Sequence, residues 1–219
     1  SLEEVWGAIA ALSTGLHIGS NGPLDSLDLP ALYFVEDGLW ITDGTYASID
    51  LSGLACTPAV RIYWLLELTD LDLESLVHTD YLQVGATGLA DLSGLASLES
   101  VDTVEITYND AMTSLDGLGS LESLRILEIT NNDLLADLSA LSAPLSVGET
   151  IDVRDNEQLP YCQVCNLLDV IGTFDGTLYH AGNLPDGCWT GYLTCVVDCS
   201  SPGVIDDDDV TLVMYRAAD

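Results

Sequence analysis

Cysteine is the residue type whose spacing in this chain most resembles a chemical site. Five of the six cysteines cluster towards the end of the sequence, and Cys56 stands apart from them. The pairs Cys162/Cys165 and Cys195/Cys199 could together bind zinc as thiolates. Four-cysteine zinc sites usually have a shorter spacing within the second pair and basic or His neighbours, so disulfides are favoured. We predict disulfide cysteines, with their pairing and the partner of Cys56 left open, at Cys162, Cys165, Cys188, Cys195 and Cys199.

Carboxylates are the other groups that could carry chemistry. The chain has 36 Asp and Glu residues, and paired carboxylates can hydrolyse glycosides. Close pairs arise by chance in so acidic a chain, and His17, His78 and His180 share no position that would bring them together. We therefore predict a protein without enzyme activity, catalytic residues or a metal site. Weakly bound Ca²⁺ is left open as a cofactor, although the Asp run at 206–209 lacks the alternating pattern of a calcium loop.

A repeat of 23 residues supplies the elements that would position these side chains. Apolar and polar residues first alternate, as in a half-buried strand, and leucines then recur every third residue in a segment too rich in Gly and Ser for a good helix. Such a unit buries its apolar edge only by stacking on its neighbours, which predicts a solenoid. The residues Val104, Ile106, Asn109, Met112, Leu115 and Leu118 recur as Leu127, Ile129, Asn132, Leu135, Leu138 and Leu141.

Seven strand patterns predict an α/β-solenoid of about seven coils with short parallel sheets. One coil is long and the next is short near residues 51–81, where the repeat is least regular. The predicted strands are centred on residues 16–18, 39–41, 66–68, 82–84, 104–106, 127–129 and 151–153.

The middle residue of each predicted strand faces outward, because its neighbours are the apolar residues of the core. Adjacent members of this row would lie about 4.8 Å apart. Glu105, Glu128 and Asp152 would then repel one another unless cations or basic groups of a partner lie between them. The row is either a ligand-facing surface or a solvated acidic face, and its predicted members are His17, Trp40, Glu67, Gln83, Glu105, Glu128 and Asp152.

An asparagine follows several strands at one position, where its amide could bond the backbone of the next coil. The predicted Asn ladder consists of Asn21, Asn109, Asn132 and Asn156. Coils two to four offer Gly44, Leu71 and Thr87 instead, so the ladder is expected to be broken there.

Four segments follow from these patterns. Residues 1–14 are predicted to form an N-terminal capping helix, and residues 15–160 the leucine-rich solenoid. Residues 161–199 are a Cys-rich C-terminal cap that begins with a helix at 161–171. Residues 200–219 are an acidic linker and a terminal strand, in which Val210, Leu212 and Met214 are candidates for strand addition to this or another molecule.

Charge excludes some partners. The net charge of -32 argues against nucleic acid and anionic membranes. No apolar run is long enough to span a bilayer. The sequence shows no signal peptide, so the chain is cytosolic or a mature form, and the cysteine cluster favours a mature extracellular or cell-surface protein.

The N-x-x-(L/M)-x-x-L-x-x-L phrases, the L-x-I strands and the N-x-x-L-P-x-C start of the last helix resemble bacterial cell-surface relatives of the receptor L domain. The resemblance covers roughly residues 12–179. It implies a right-handed, leucine-rich β-helix in an extracellular, often lipid-anchored binding domain, and it transfers no ligand-binding motif to this chain.

These observations predict a non-enzymatic extracellular binding or adhesion module of the receptor L-domain type. Its partner would be a protein or carbohydrate at the cell surface. The alternative is a structural subunit that binds copies of itself, forming a polymer through end-to-end or terminal-strand contacts.

Overall fold

The structure, a computed structural model, describes residues 11–19, 24–142 and 144–185. Residues 1–10 of the predicted N-terminal helix, Asn21, and the strand-addition residues Val210, Leu212 and Met214 lie outside these ranges. The described elements are β1 (Ala11–Leu12), β2 (Leu16–Gly19), β3 (Ser26–Asp28), β4 (Phe34–Val35), β5 (Leu39–Thr42), β6 (Ser48–Asp50), β7 (Ala59–Leu65), β8 (Asp70–Asp72), β9 (His78–Thr87), β10 (Ser100–Thr107), β11 (Ser123–Thr130), β12 (Ser146–Arg154), α1 (Tyr161–Ile171) and β13 (Thr177–Tyr179).

These elements form a parallel β-solenoid, which confirms the predicted solenoid. The main sheet has eight strands in the order β2, β5, β7, β9, β10, β11, β12 and β13. Strands β3, β6 and β8 form a second sheet, and β1 pairs with β4. In the described part of the chain, helix is limited to α1 and a 3₁₀ turn at Ser93–Leu95. The architecture there is a β-solenoid rather than the predicted α/β-solenoid.

Leucine, isoleucine and valine fill the interior of the coils. The main strands turn one column of β-branched side chains inward, and Ile106 and Ile129 are fully buried within it. The return segments add leucines such as Leu115 and Leu138 from the opposite side. This division explains the two periodicities, since the strand alternates while the return segment places a leucine inward at every third residue.

The third strand of the main sheet lies at Ala59–Leu65, whereas the prediction placed it at 66–68. Both segments alternate in polarity, but only the earlier one pairs with β5 and β9. Leu66 is 67% exposed, and the buried Leu68 belongs to the return segment. The long and short coils of the prediction are therefore an artefact of this displaced strand. Ile41, Ile62 and Val84 are paired on neighbouring strands, and nearly equal numbers of residues separate them along the chain, so these coils have similar lengths.

The repeat continues beyond residue 160, where the predicted solenoid ended. The helix α1 has the predicted bounds and buries the apolar face of Val164, Leu167, Leu168 and Ile171. It forms the return segment of a further coil, because β13 then pairs with β12 in the main sheet. At the other end Ala11–Leu12 is a strand, paired with Phe34–Val35, where the prediction extended a helix to residue 14.

The cysteines differ from the prediction in part. Cys162 at the start of α1 is disulfide-bonded. Cys165, one turn further on, is a thiol, contrary to the predicted disulfide. Cys56 is an exposed thiol. Its backbone lies between β4 and β9 and forms isolated parallel β-bridges with Phe34 and His78. Cys188, Cys195 and Cys199 lie outside the described residues.

Candidate functional site

One column of side chains runs along the outer face of the main sheet, and we call it the outward row. Its members are paired from strand to strand without a break. Glu67 is not among them, because it lies in the exposed turn after β7, and Arg61 takes its place. Tyr179 extends the row by one strand. The outward row consists of His17, Trp40, Arg61, Gln83, Glu105, Glu128, Asp152 and Tyr179.

Aromatic side chains occupy the first part of the row. The indole of Trp40 stacks on His17, with ring centroids 4.1 Å apart and an interplanar angle of 11°. The indole reaches over Gly15 and Gly38, where a Cβ atom would lie 2.7 and 2.9 Å from its carbons. Glycine at these two positions is therefore what allows the ring to extend along the sheet.

Arg61, Tyr81 and Glu105 connect the aromatic part of the row to its acidic part. The guanidinium of Arg61 lies 4.5 Å from the centroid of the Tyr81 ring. Burial raises the pKa of the Tyr81 phenol, and its hydrogen bond to Glu105 raises it further, so the hydroxyl stays protonated as a donor. Gln83 Nε2 donates a second hydrogen bond of 3.0 Å to Glu105. Glu105 is thus held by donors from two neighbouring positions.

Glu128 is the least compensated carboxylate of the row. Burial raises its pKa, and the flanking charges of Glu105 and Asp152 raise it further. The hydroxyl of Thr130 and the guanidinium of Arg154 act in the opposite direction, with the Thr130 contact at 3.5 Å. Glu105 and Glu128 face outward as predicted, but both are half-buried rather than exposed. Repulsion between neighbouring acids is therefore present at Glu128.

Asp152 is buried, although the prediction placed it on the exposed face. Arg154 covers it with two hydrogen bonds of 2.7 and 2.8 Å to the carboxylate oxygens. The same guanidinium lies 5.1 Å from the centroid of the Tyr179 ring. A basic side chain from the next outward position of the strand thus neutralises the end of the row.

A second column lies at or just beyond the ends of the main strands, where the backbone has left-handed conformation in six successive coils. We call these residues the left-handed column: Asp43, Trp64, Ala86, Tyr108, Asn131 and Asp155, with φ between 51° and 60°. The conformation turns the chain so that the next residue points into the core. Asn and Asp adopt it readily, whereas bulky residues rarely do. Trp64 and Tyr108 are the bulky exceptions in this column, and their side chains are 56% and 54% exposed.

The Asn ladder occupies the position after the left-handed column. Asn109, Asn132 and Asn156 are fully buried, and Asn183 continues the ladder beyond α1. Each amide oxygen accepts the backbone N–H of the preceding coil, as in the 3.0 Å bond from Asn109 to Asn132. Each amide nitrogen donates to a carbonyl of the preceding strand, as Asn132 does to Ile106. The ladder is structural and leaves no amide available to a ligand.

Thr87 begins the ladder, donating its hydroxyl to Asn109 Oδ1 at 2.7 Å. The prediction included Thr87 in the broken part of the ladder, and this was wrong because Thr87 bonds Asn109. The two preceding coils have Gly44 and Leu65 at this position, and neither side chain can form a ladder hydrogen bond. Leu71, named for this position in the prediction, lies instead in β8 of the second sheet. The displaced third strand caused this error as well.

Within residues 11–19, 24–142 and 144–185, no three His, Cys, Asp or Glu side chains are grouped as metal ligands. No helix in these ranges has the length and apolar character needed to cross a membrane. Comparison with protein-family models, curated proteins and solved structures finds no match to the chain.

Proposed function

We propose that this chain is a non-enzymatic extracellular binding or adhesion module of the receptor L-domain type, and that the outward face of the main sheet is its binding surface. The observation that carries the proposal is the outward row, which places aromatic, basic, amide and acidic side chains in one column on successive strands. A surface of this composition offers both stacking and hydrogen-bonding groups to a ligand.

The scaffold behind the row supports binding by a preformed surface. The apolar inward residues of the same strands are buried, except for the partly buried Leu16, and from Thr87 onward the Asn ladder holds the coils in register through buried hydrogen bonds. Side chains mounted on such strands lose little conformational freedom when a ligand binds. The disulfide bond of Cys162 supports the extracellular location.

The test compares variants on a panel of immobilised cell-surface glycans and peptides. Trp40→Ala and Arg61→Ala remove two neighbouring side chains of the row. Tyr33→Ala is the matched control, because Tyr33 is an exposed aromatic residue outside the main sheet. We expect at least one ligand whose binding is lost in both row variants and retained in the control.

Two results would contradict the proposal. One is a panel on which no ligand distinguishes the row variants from Tyr33→Ala. The other is growth of long filaments by the wild-type chain in electron micrographs, which would favour the self-assembling structural subunit. Light scattering over a range of protein concentrations separates discrete particles from such polymers.

A further inference from the structure

Arg61 is the basic side chain of the outward row, and it lacks the acidic partner that the other described arginines have. The chain contains 36 acidic residues and only four Lys or Arg residues, so an arginine has many carboxylates to choose from. Among the described residues, no ion pair joins Arg61 to a carboxylate, whereas Arg125 bridges two carboxylates and Arg154 binds a third. The donors of Arg61 are therefore available to a ligand.

An aromatic ring holds the guanidinium of Arg61 in place. Its Cζ atom lies over Tyr81, 4.5 Å from the ring centroid, and the Tyr81 hydroxyl is itself fixed by a hydrogen bond to Glu105. The ring covers a face of the guanidinium, while the N–H donors lie in the plane of the group and stay available. Because Arg61 is exposed, this fork of donors is accessible. It matches a carboxylate, which can accept two parallel hydrogen bonds.

The neighbours of Arg61 in the row are side chains that suit a sugar. Trp40 and Gln83 are its partners on the adjacent strands. The Trp40 indole stacks on His17 and remains partly exposed, so it offers apolar surface to the C–H groups of a ring-shaped ligand. Gln83 donates from Nε2 to Glu105, and its amide oxygen can accept a hydrogen bond from a hydroxyl group.

The acidity of the chain limits the charge that such a ligand can carry. Beyond Gln83 the row continues with Glu105, Glu128 and Asp152, and the net charge of the chain is -32. A polymer with a carboxylate on every sugar would bring further negative charges to this surface and would be repelled. A single carboxylate at Arg61 largely avoids that repulsion, because salt screens charges more than about 8 Å away at physiological ionic strength.

We propose that Arg61 binds the carboxylate of a single acidic sugar, such as a uronic acid, on an otherwise neutral glycan, with Trp40 packed against the sugar ring. The proposal rests on the proposed function and deepens it, because it names the ligand class of the outward row. The carboxylate of a peptide would also match the Arg61 fork. It would bring neither the ring of C–H groups that suits Trp40 nor the hydroxyl groups that suit Gln83, whereas a sugar uses all three side chains.

The experiment compares two disaccharides that differ in one group. The first is glucuronic acid linked to glucose, and in the second glucose replaces the glucuronic acid, so that CH₂OH stands in place of the carboxylate. A second pair, built on galacturonic acid and galactose, covers another ring configuration. Isothermal titration calorimetry at about 0.15 M salt measures all four. We expect the wild type to bind at least one acidic disaccharide about tenfold more tightly than its neutral counterpart, the size expected for hydrogen bonds to a charged group.

The variants separate the fork of donors from the charge. Arg61→Gln should abolish the preference for the acidic sugar, and Arg61→Lys should lose most of it, because Lys keeps the charge without the planar pair of donors. Trp40→Ala should weaken the acidic and the neutral sugar alike. Arg125→Gln is the matched control, since it removes the same charge from an arginine whose donors are already taken, and it should keep the preference within about twofold. Thermal melts verify that all four variants are folded.

The proposal fails if neither acidic disaccharide binds the wild type more tightly than its neutral counterpart, or if Arg125→Gln loses the preference as fully as Arg61→Gln. A tetrapeptide with a free C-terminal carboxylate is the second probe. If it binds through Arg61 while the sugars do not, the ligand is a polypeptide and the acidic-sugar proposal is wrong. Panel ligands that depend on Trp40 and Arg61 would in that case still support the proposed function, whereas a panel without them would contradict both.

Discussion

Glu128 shows how a single side chain on this face can oppose folding. Its pKa is raised by burial and then by Glu105 and Asp152. A carboxyl whose pKa is higher in the folded than in the unfolded chain favours the fold while it is protonated. That contribution is present at low pH and is lost as the pH rises through the raised pKa. At neutral pH the ionised Glu128 therefore lowers stability.

We expect Glu128→Gln to raise the melting temperature at pH 7 by a few degrees, because it removes a charge from between two others. The gain should shrink as the pH falls towards about 4, where the wild-type carboxyl is protonated as well. Thermal melts at both pH values check this. Glu74→Gln provides the same change of charge at an exposed position beyond β8. An equal gain in that control would mean that the effect comes from overall charge and not from the row.

In the Asn ladder a single side chain connects the strands and turns of neighbouring coils. Asn132 Oδ1 accepts from the backbone and the amide of Asn109. Its Nδ2 group donates to the carbonyls of Ile106 and Thr130. These groups are buried, where each unsatisfied donor or acceptor costs about 1–3 kcal/mol.

We expect Asn132→Ala to lower the free energy of unfolding by about 3 kcal/mol or more, since it leaves several buried groups without partners. Thr87→Val at the start of the ladder removes one hydroxyl donor to Asn109 and should cost about 1 kcal/mol. Urea unfolding monitored by circular dichroism measures both. A similar small loss in the two variants would mean that water replaces the internal amide.

The elements that could be predicted from sequence are those for which the polarity pattern allows only one position of the strand or helix. The strands around Ile106, Ile129 and Val153 precede their Asn residues at constant distance, and α1 has a continuous apolar face. The third strand failed because residues 59–65 and 66–68 both alternate, and only pairing with the neighbouring strands decides between them. Arg61 was consequently missed. A search for an apolar residue about halfway between Ile41 and Val84 would have found Ile62, and with it the outward-facing Arg61 beside it.

Other features depended on contacts that are distant in sequence. Asn183 was missed because α1 intervenes between it and Asn156. Asp152 was expected to be exposed, and its burial depends on how Arg154 folds over it. The left-handed backbone of Trp64 could not be inferred from its residue type, which disfavours that conformation. It follows from the turn that each coil makes before the ladder position.

The acidity of the whole molecule predicts a response to salt. With a net charge of -32, repulsion acts over the entire surface, and added ions screen it. We expect sodium chloride to raise the melting temperature progressively up to about 1 M, where the screening length falls to about 3 Å. Calcium at matched ionic strength should act similarly or somewhat more strongly. A calcium effect at micromolar concentration without any sodium effect would instead reveal a specific cation site.

The backbone N–H groups of the ladder asparagines all donate to the following coil, and this has a consequence for synthesis on the ribosome. The backbone N–H of Asn109 is satisfied by Asn132, that of Asn132 by Asn156, and that of Asn156 by Asn183. Each coil thus relies on a residue that is translated later. A nascent chain that has emerged only to Asn132 holds a buried donor with no acceptor yet made. Folding of this part of the solenoid therefore trails translation by one coil, and the newest coil remains the one most open to chaperones.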